Sequence, residues 1–183
     1  SNGDGPGAFP QVRLVAHAEC GTKALLDATF DGYLVAETVL AERLLSSFTA
    51  GMLVMADRNF LSWSLWRQAV ATKADLLWRA SASFRLPVVE RLPDGSYLSV
   101  LRPPRKKDGE PITVRVIEYT VTTTDSDAAT TSELFCMVTN LLDPGDAPIE
   151  DIPALYHQRW SGETMLDAVK TELRGGPDVL LRS

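Results

Sequence analysis

Residues 11–81 alternate between short apolar runs, which are typical of strands, and longer stretches with helical periodicity. The predicted order is two strands, a helix, a strand, a helix and a strand, at 11–18, 24–31, 36–48, 52–56, a helix capped by Ser62, and 75–81. The first two strands are joined at 19–22 and are predicted to be antiparallel neighbours. The run at 52–56 fits a buried parallel strand. Strands that alternate with helices in this way indicate an α/β fold.

The pattern changes between residues 84 and 148, where no helical periodicity interrupts a series of strand-like segments. These segments lie at 86–92, 96–101, 112–122 and 133–140. Turn-forming residues separate them at Pro93-Asp94-Gly95 and at Lys107-Asp108-Gly109. The polar stretch at 122–131 is predicted to be a hairpin tip. We therefore predict a β-rich insertion within the α/β domain.

Composition and charge limit the classes of protein that this chain can belong to. The 183 residues contain no run of about 18 apolar residues, so no membrane span is expected. Cys20 and Cys136 are too few for a disulfide scaffold, and a reducing cytoplasm is expected. The net charge of −6 counts against DNA binding by this chain alone, because phosphates need a basic surface. Residues 1–9 begin without Met and are predicted to be a disordered tail or vector remnant of an excised fragment.

Tyr156, Arg159, Glu163 and Lys170 share one face of a predicted helix. At about 100° of rotation per residue, they span less than a quarter turn. An apolar stripe beside them consists of Leu155, Leu166, Val169 and Leu173. A carboxylate between two cations and a phenol suits a site for a metal and a phosphate. Pairs such as Arg159 and Glu163 are also common on helix surfaces because they are mildly stabilising, so both interpretations stay open.

Asp57 directly follows the predicted strand at 52–56. Ligand-binding groups of α/β folds gather at such strand ends. The sequence Asp-Arg-Asn also forms polar turns, and the position alone favours a turn over a ligand-binding role.

The helix at 156–170 resembles a known signature. Its spacing Tyr-x-x-Arg-x-x-x-Glu-x-x-x-x-x-x-Lys, with Trp160 after the Arg, is similar to the YREK signature of insertion-sequence transposases of the IS-four type. The sequence GMLVMADRNF at 51–60 resembles the strand that carries the second Asp of these bacterial DDE transposases. Residues 10–38 look like the segment before that strand, and the likeness extends from 10 to 176.

The resemblance implies an RNase H-like core with an inserted β-rich subdomain. Residues 10–83 would form the first part of the core, 84–148 the insertion, and 149–183 the signature helix that completes the core. The family would cleave and join DNA phosphodiesters at transposon ends. Its partners would be double-stranded DNA and a second copy in a homodimer, in the cytoplasm and associated with the nucleoid.

The same resemblance assigns roles to individual residues. Asp57 would be the second catalytic carboxylate and Glu163 the third, and the two would be ligands for Mg²⁺, with Mn²⁺ as a substitute. DNA phosphates would be positioned by Tyr156, Arg159 and Lys170. Trp160 would either stack on an unpaired base or pack in the core.

The chain departs from the family pattern at its first catalytic residue. A DDE transposase needs an Asp on the opening strand of the sheet, and no segment before Pro10 resembles that strand. Asp4 lies in the Gly/Pro-rich tail, and Asp27 and Asp31 lie on or after a later strand. We therefore expect this Asp and the first core strand to lie outside the chain, and the fragment to be inactive as it stands.

Two other functions fit the same residues. The parent protein would be a non-catalytic DNA-binding or interaction protein derived from a transposase, or a metal-dependent RNase H-like nuclease without strand joining. The basic tract at 102–107 either contacts the DNA backbone or forms a solvated tip balanced by Asp108 and Glu110. His17 and Cys20 have a metal-like spacing, but without a second pair they predict a half-buried strand end.

Overall fold

A computed structural model describes residues 11–81, 84–124 and 130–159. Within these ranges the fold is mixed α/β, with a six-stranded mixed sheet, a two-stranded sheet and three α-helices. The α/β class is therefore confirmed. The predictions for residues 1–9 and for Trp160, Glu163 and Lys170 lie outside the described residues.

The first half of the chain forms the elements expected of it, with altered bounds. They are β1 (Val12–Ala18), β2 (Leu25–Gly32), α1 (Glu37–Arg43), β3 (Leu53–Ala56), α2 (Trp63–Ala71) and β4 (Asp75–Arg79). The second half contributes β5 (Glu90–Arg91), β6 (Tyr97–Leu101), β7 (Ile112–Thr124), β8 (Thr130–Thr139) and α3, which is described over 152–159. No helix in these ranges has the length and apolar composition needed to cross a bilayer.

The six-stranded sheet has the order β3-β4-β8-β7-β6-β5. β3 and β4 are parallel, as expected for strands joined by a helix, and β8 pairs antiparallel with β4 through Trp78 and Val138. The strands of the β-rich block thus continue the α/β sheet instead of forming a sheet of their own. The reason lies in β8, where Met137 and Val138 are both fully buried on opposite faces, as in a central strand.

Local chemistry explains how α2 and α1 begin and end. Ser62 caps α2 as predicted, because its side-chain oxygen accepts a hydrogen bond from the Leu65 N–H at 3.2 Å. α1 is shorter than the predicted 36–48, since the chain continues as a 3-10 turn at Leu45–Ser47. There the Ser47 hydroxyl donates to the Leu44 carbonyl at 2.7 Å, a local bond that competes with helical pairing.

The β-rich block also differs from its predicted strands. The strand predicted at 86–92 is reduced to Glu90–Arg91, and Pro87 within that stretch lacks the N–H that a strand ladder needs. The hairpin β7–β8 is confirmed, and its pairing extends outward to Thr124 and Thr130. Its tip, at 125–129, lies outside the described ranges.

Two apolar clusters cover opposite faces of the large sheet. The first contains Trp66 of α2, which packs edge-on against Trp78 of β4 with ring centroids 5.1 Å apart. The second contains Ile152 and Tyr156 of α3 together with Leu77 of β4, the residue before Trp78. Successive strand residues point to opposite faces, so α2 and α3 lie on opposite sides of the sheet.

Candidate functional site

Asp57 lies immediately after β3, at the edge where the parallel strands β3 and β4 end. One oxygen of its half-buried carboxylate accepts the N–H of Arg58 at 2.7 Å, and its carbonyl accepts the N–H of Phe60 at 3.0 Å. These hydrogen bonds form the polar turn that is one of the two interpretations of Asp57 from the sequence. They also hold the carboxylate at the carboxyl edge of the sheet, where α/β folds bind ligands.

Tyr156 brings α3 to the same edge. Its side chain is only 1% exposed, and its hydroxyl donates a long hydrogen bond of 3.4 Å to the carbonyl of Ala56, the residue before Asp57. The ring packs edge-on against Phe135 of β8 at 6.2 Å between centroids. Burial raises the pKa of Tyr156 to about 12, and the nearby charge of Asp57 acts in the same direction. The hydroxyl therefore stays protonated and available as a donor at neutral pH.

Arg159 lies one turn farther along α3. Its guanidinium carbon is 5.2 Å from the centroid of the Tyr156 ring, and its charge opposes the rise in the pKa of Tyr156. Its charge also acts on Cys20 in the turn between β1 and β2, where burial and Glu19 raise the pKa of the thiol. Arg159 therefore adds a positive charge beside the ring of Tyr156, near the end of β3.

Arg79, at the carboxyl end of β4, lies at the same edge of the sheet as Asp57 and was not among the site residues predicted from the sequence. Its guanidinium lies 3.8 Å from the centroid of the Phe135 ring and is paired with the Glu133 carboxylate. Its charge also lowers the pKa of Tyr156. A basic residue at the end of the predicted strand after Asp57 is the signal that would have identified it.

We call Asp57, Arg79, Tyr156 and Arg159 the edge cluster. The cluster combines one carboxylate, a hard oxygen ligand of the kind that Mg²⁺ prefers, with two guanidinium groups, of which that of Arg79 is already paired with Glu133. Over the described parts of the chain, no group of three or more His, Cys, Asp or Glu side chains is placed to hold a metal ion. Asp57 offers a single carboxylate at this edge, and the second predicted ligand, Glu163, lies beyond the described residues.

The remaining candidate residues lie away from the edge cluster. The His17 ring is hydrogen-bonded to the Ser47 hydroxyl at 2.8 Å and packs on Phe48, and burial lowers its pKa, so the prediction of a half-buried strand residue is confirmed. The basic tract at 102–107 lies in the connection between β6 and β7. Its turn is closed by the Asp108 carboxylate, which accepts the Arg105 N–H at 3.1 Å.

Comparison with known proteins adds no assignment. No protein-family model matches this chain, and no curated protein matches its sequence. The resemblance to insertion-sequence transposases therefore stays an expectation from the sequence.

Proposed function

We propose that this chain is part of the catalytic core of a DDE transposase, which cleaves and joins DNA phosphodiesters at transposon ends with Mg²⁺. The observation that carries the proposal is the contact between the Tyr156 hydroxyl and the Ala56 carbonyl at 3.4 Å. It joins the first residue of the YREK pattern to the strand end that carries Asp57, although the bonded residues are 100 positions apart.

The spacing of the signature supports a metal site shared by Asp57 and Glu163. If α3 continues as a helix, Glu163 follows Arg159 by one turn, about 6 Å farther along the axis on nearly the same face. The two carboxylates would then approach each other at the edge of the sheet. A bound Mg²⁺ ion would activate the attacking water or 3′-hydroxyl and stabilise the leaving oxygen.

The other side chains would bind and orient the DNA backbone. Arg159 would donate to phosphate oxygens next to the reacting one, and Lys170 would contribute a second cation from the same helix face. Tyr156 is buried with its hydroxyl against Ala56, which favours a positioning role that holds α3 on β3. A direct phosphate contact by Tyr156 stays a prediction, as does base stacking by Trp160.

The proposal is tested with the full-length protein encoded by the gene, on DNA that carries the genomic sequence on either side of that gene. Asp57→Asn and Glu163→Gln are expected to abolish cleavage and joining. Two matched controls should keep both activities: Asp75→Asn, at the opposite end of β4, and Glu172→Gln, later in the predicted helix. Full activity of either Asp57→Asn or Glu163→Gln would refute the assigned roles.

The wild-type products separate the proposal from its two alternatives. Cleavage without joining of pre-cleaved ends would identify a nuclease, and sequence-specific binding without cleavage would identify a DNA-binding protein. A second readout is independent of activity. Mn²⁺ binding, followed by the loss of the free-ion signal in electron paramagnetic resonance, should weaken in Asp57→Asn and not in Asp75→Asn.

A further inference from the structure

The connection between β6 and β7 is held against the beginning of α2. The Trp63 side chain of α2 is only 6% exposed, and its indole N–H donates to the Glu110 carbonyl at 3.1 Å. Gly109 packs closely against the same ring, because a side-chain carbon at this position would come within 2.7 Å of it. The φ of Gly109 is 150°, a value that residues with a side chain rarely adopt. Trp63 and Gly109 therefore fix the basic tract at 102–107 to α2.

The tract itself forms a closed turn. The Asp108 carboxylate accepts the N–H of Arg105 at 3.1 Å, and the Asp108 N–H donates to the Arg105 carbonyl at 2.9 Å. Lys106–Asp108 form a 3-10 turn between these bonds. Pro103 and Pro104 restrict the backbone ahead of the turn. A ligand that binds here therefore meets side chains on an ordered backbone, which lowers the conformational entropy lost on binding.

A cation of α2 joins the tract. The guanidinium carbon of Arg67 lies 5.0 Å from the centroid of the Trp63 ring, which Gly109 also contacts. Five exposed cations are thereby brought together, and we call them the basic platform: Arg67, Arg102, Arg105, Lys106 and Lys107. The chain has 18 Lys and Arg in all and a net charge of −6, so the platform is a concentration of positive charge in an acidic protein.

Neighbouring acids do not balance the charge of the platform. The ion pairs found among the described residues involve Arg13, Arg43, Arg79 and Arg115, and none of them includes a platform residue. The Asp108 carboxylate binds the backbone of the turn instead of a cation. The contacts within the described chain therefore do not support a solvated tip that Asp108 and Glu110 would neutralise.

We propose that the basic platform binds the phosphate backbone of double-stranded DNA, and that it does so in the absence of a metal ion. Exposed cations on an ordered turn are the groups that contact phosphates and position a duplex without reading its sequence. The aromatic ring beneath the platform, Trp63, is buried and offers no surface on which unpaired bases could stack, which favours a duplex over a single strand. The choice of DNA as the anion rests on the proposed function.

Fluorescence anisotropy of a short labelled duplex, titrated with the 183-residue chain without divalent metal, tests the proposal. The titrations begin at low salt, because the net charge of −6 opposes binding. Lys106→Gln/Lys107→Gln should weaken binding about tenfold or more and reduce the slope of log affinity against log salt by about 2. Lys23→Gln/Arg91→Gln removes the same charge at exposed positions outside the platform and should retain the wild-type slope.

Two further comparisons identify the ligand and the role of the turn. The loss in Lys106→Gln/Lys107→Gln should be the same on duplexes of unrelated sequence, because backbone contacts carry no sequence information. Gly109→Ala keeps every charge but forces the turn away from Trp63, so it should also lower the affinity. Tighter binding of single strands, or of vesicles of anionic phospholipid, than of the duplex would overturn the assignment to double-stranded DNA.

The platform and the proposed function fail separately. Wild-type affinity and salt slope in Lys106→Gln/Lys107→Gln would overturn the platform, even if the full-length protein cleaves and joins DNA. Binding of DNA through the platform by a full-length protein that never cleaves it would support the platform and contradict the transposase alone.

Discussion

The Tyr156 hydroxyl lies 3.4 Å from the carbonyl oxygen of Ala56 and so fastens the start of α3 to the end of β3. The contact lies next to Asp57, and the ring fills a fully buried position beside Phe135 and Ile152. Most of the stabilisation therefore comes from the buried ring, and the hydroxyl chiefly fixes the direction of the helix.

Substitution of Tyr156 separates these two contributions. Tyr156→Ala should lower the free energy of unfolding by about 3–5 kcal/mol, because it opens a cavity under α3. Tyr156→Phe removes only a long hydrogen bond and should cost about 1 kcal/mol or less. Urea denaturation measures both values. The control Tyr33→Ala changes a half-exposed ring, and an equal loss of stability in that variant would contradict the packing assigned to Tyr156.

Arg115 is fully buried in β7 and organises two loops. Its guanidinium donates to the Ser96 hydroxyl at 2.8 Å and to the Ala147 carbonyl at 2.7 Å, and it pairs with Asp94. Arg115→Ala should destabilise the fold by about 3–5 kcal/mol, because it leaves the buried polar groups that bind Arg115 without a hydrogen-bond partner. Arg91→Ala, on the exposed strand β5, is the matched control and should change the free energy of unfolding by less than about 0.5 kcal/mol. Similar urea midpoints for the two variants would rule out this role for Arg115.

Asp94 should make stability depend on pH in the acid range. Burial alone would raise its pKa, but the hydrogen bonds from Ser96 and the charge of Arg115 outweigh it, and the pKa lies below its ordinary 3.8. The folded state thus binds this proton less readily than the unfolded state does. The contribution of Asp94 is complete above the ordinary pKa and is lost as the pH falls through the lowered one.

The measurement compares urea unfolding of the wild type and Asp94→Asn over a series of pH values from neutral to acid. The advantage of the wild type should be constant near neutrality and shrink as the carboxyl becomes protonated. A gap that stays constant into strong acid, or widens there, would show that the ion pair with Arg115 does not lower the pKa of Asp94.

The N-cap of α2 offers a test with a closely matched control. Ser62→Ala removes the acceptor for the Leu65 N–H and should cost about 1 kcal/mol, within a range of about 0.5–2. Ser64→Ala makes the same chemical change two residues later, at an exposed position inside the helix, where Ala is favoured. Thermal unfolding should therefore show a lower melting temperature for the first variant only.

Features that depend on neighbouring residues follow from the sequence. The cap at Ser62, the turn at Pro93-Asp94-Gly95 with its Gly95 φ of 92°, and the hairpins β1–β2 and β7–β8 were all predictable. Each is decided within a few positions by backbone sterics, a short side-chain hydrogen bond or the alternation of apolar residues. Asp57 at a strand end belongs to the same group, because the strand and the turn adjoin each other.

Contacts between residues that are distant in sequence depend on how the whole core packs. The pairing of β8 with β4, the Asn140 side chain that accepts the Leu76 N–H at 2.7 Å, and the burial of Arg115 all join residues far apart in the chain. An apolar strand pattern indicates that a segment is buried on both faces, but it does not indicate which other strand the segment pairs with. The free energy of closing the whole core selects one arrangement, and that selection placed Tyr156 and Arg79 around Asp57.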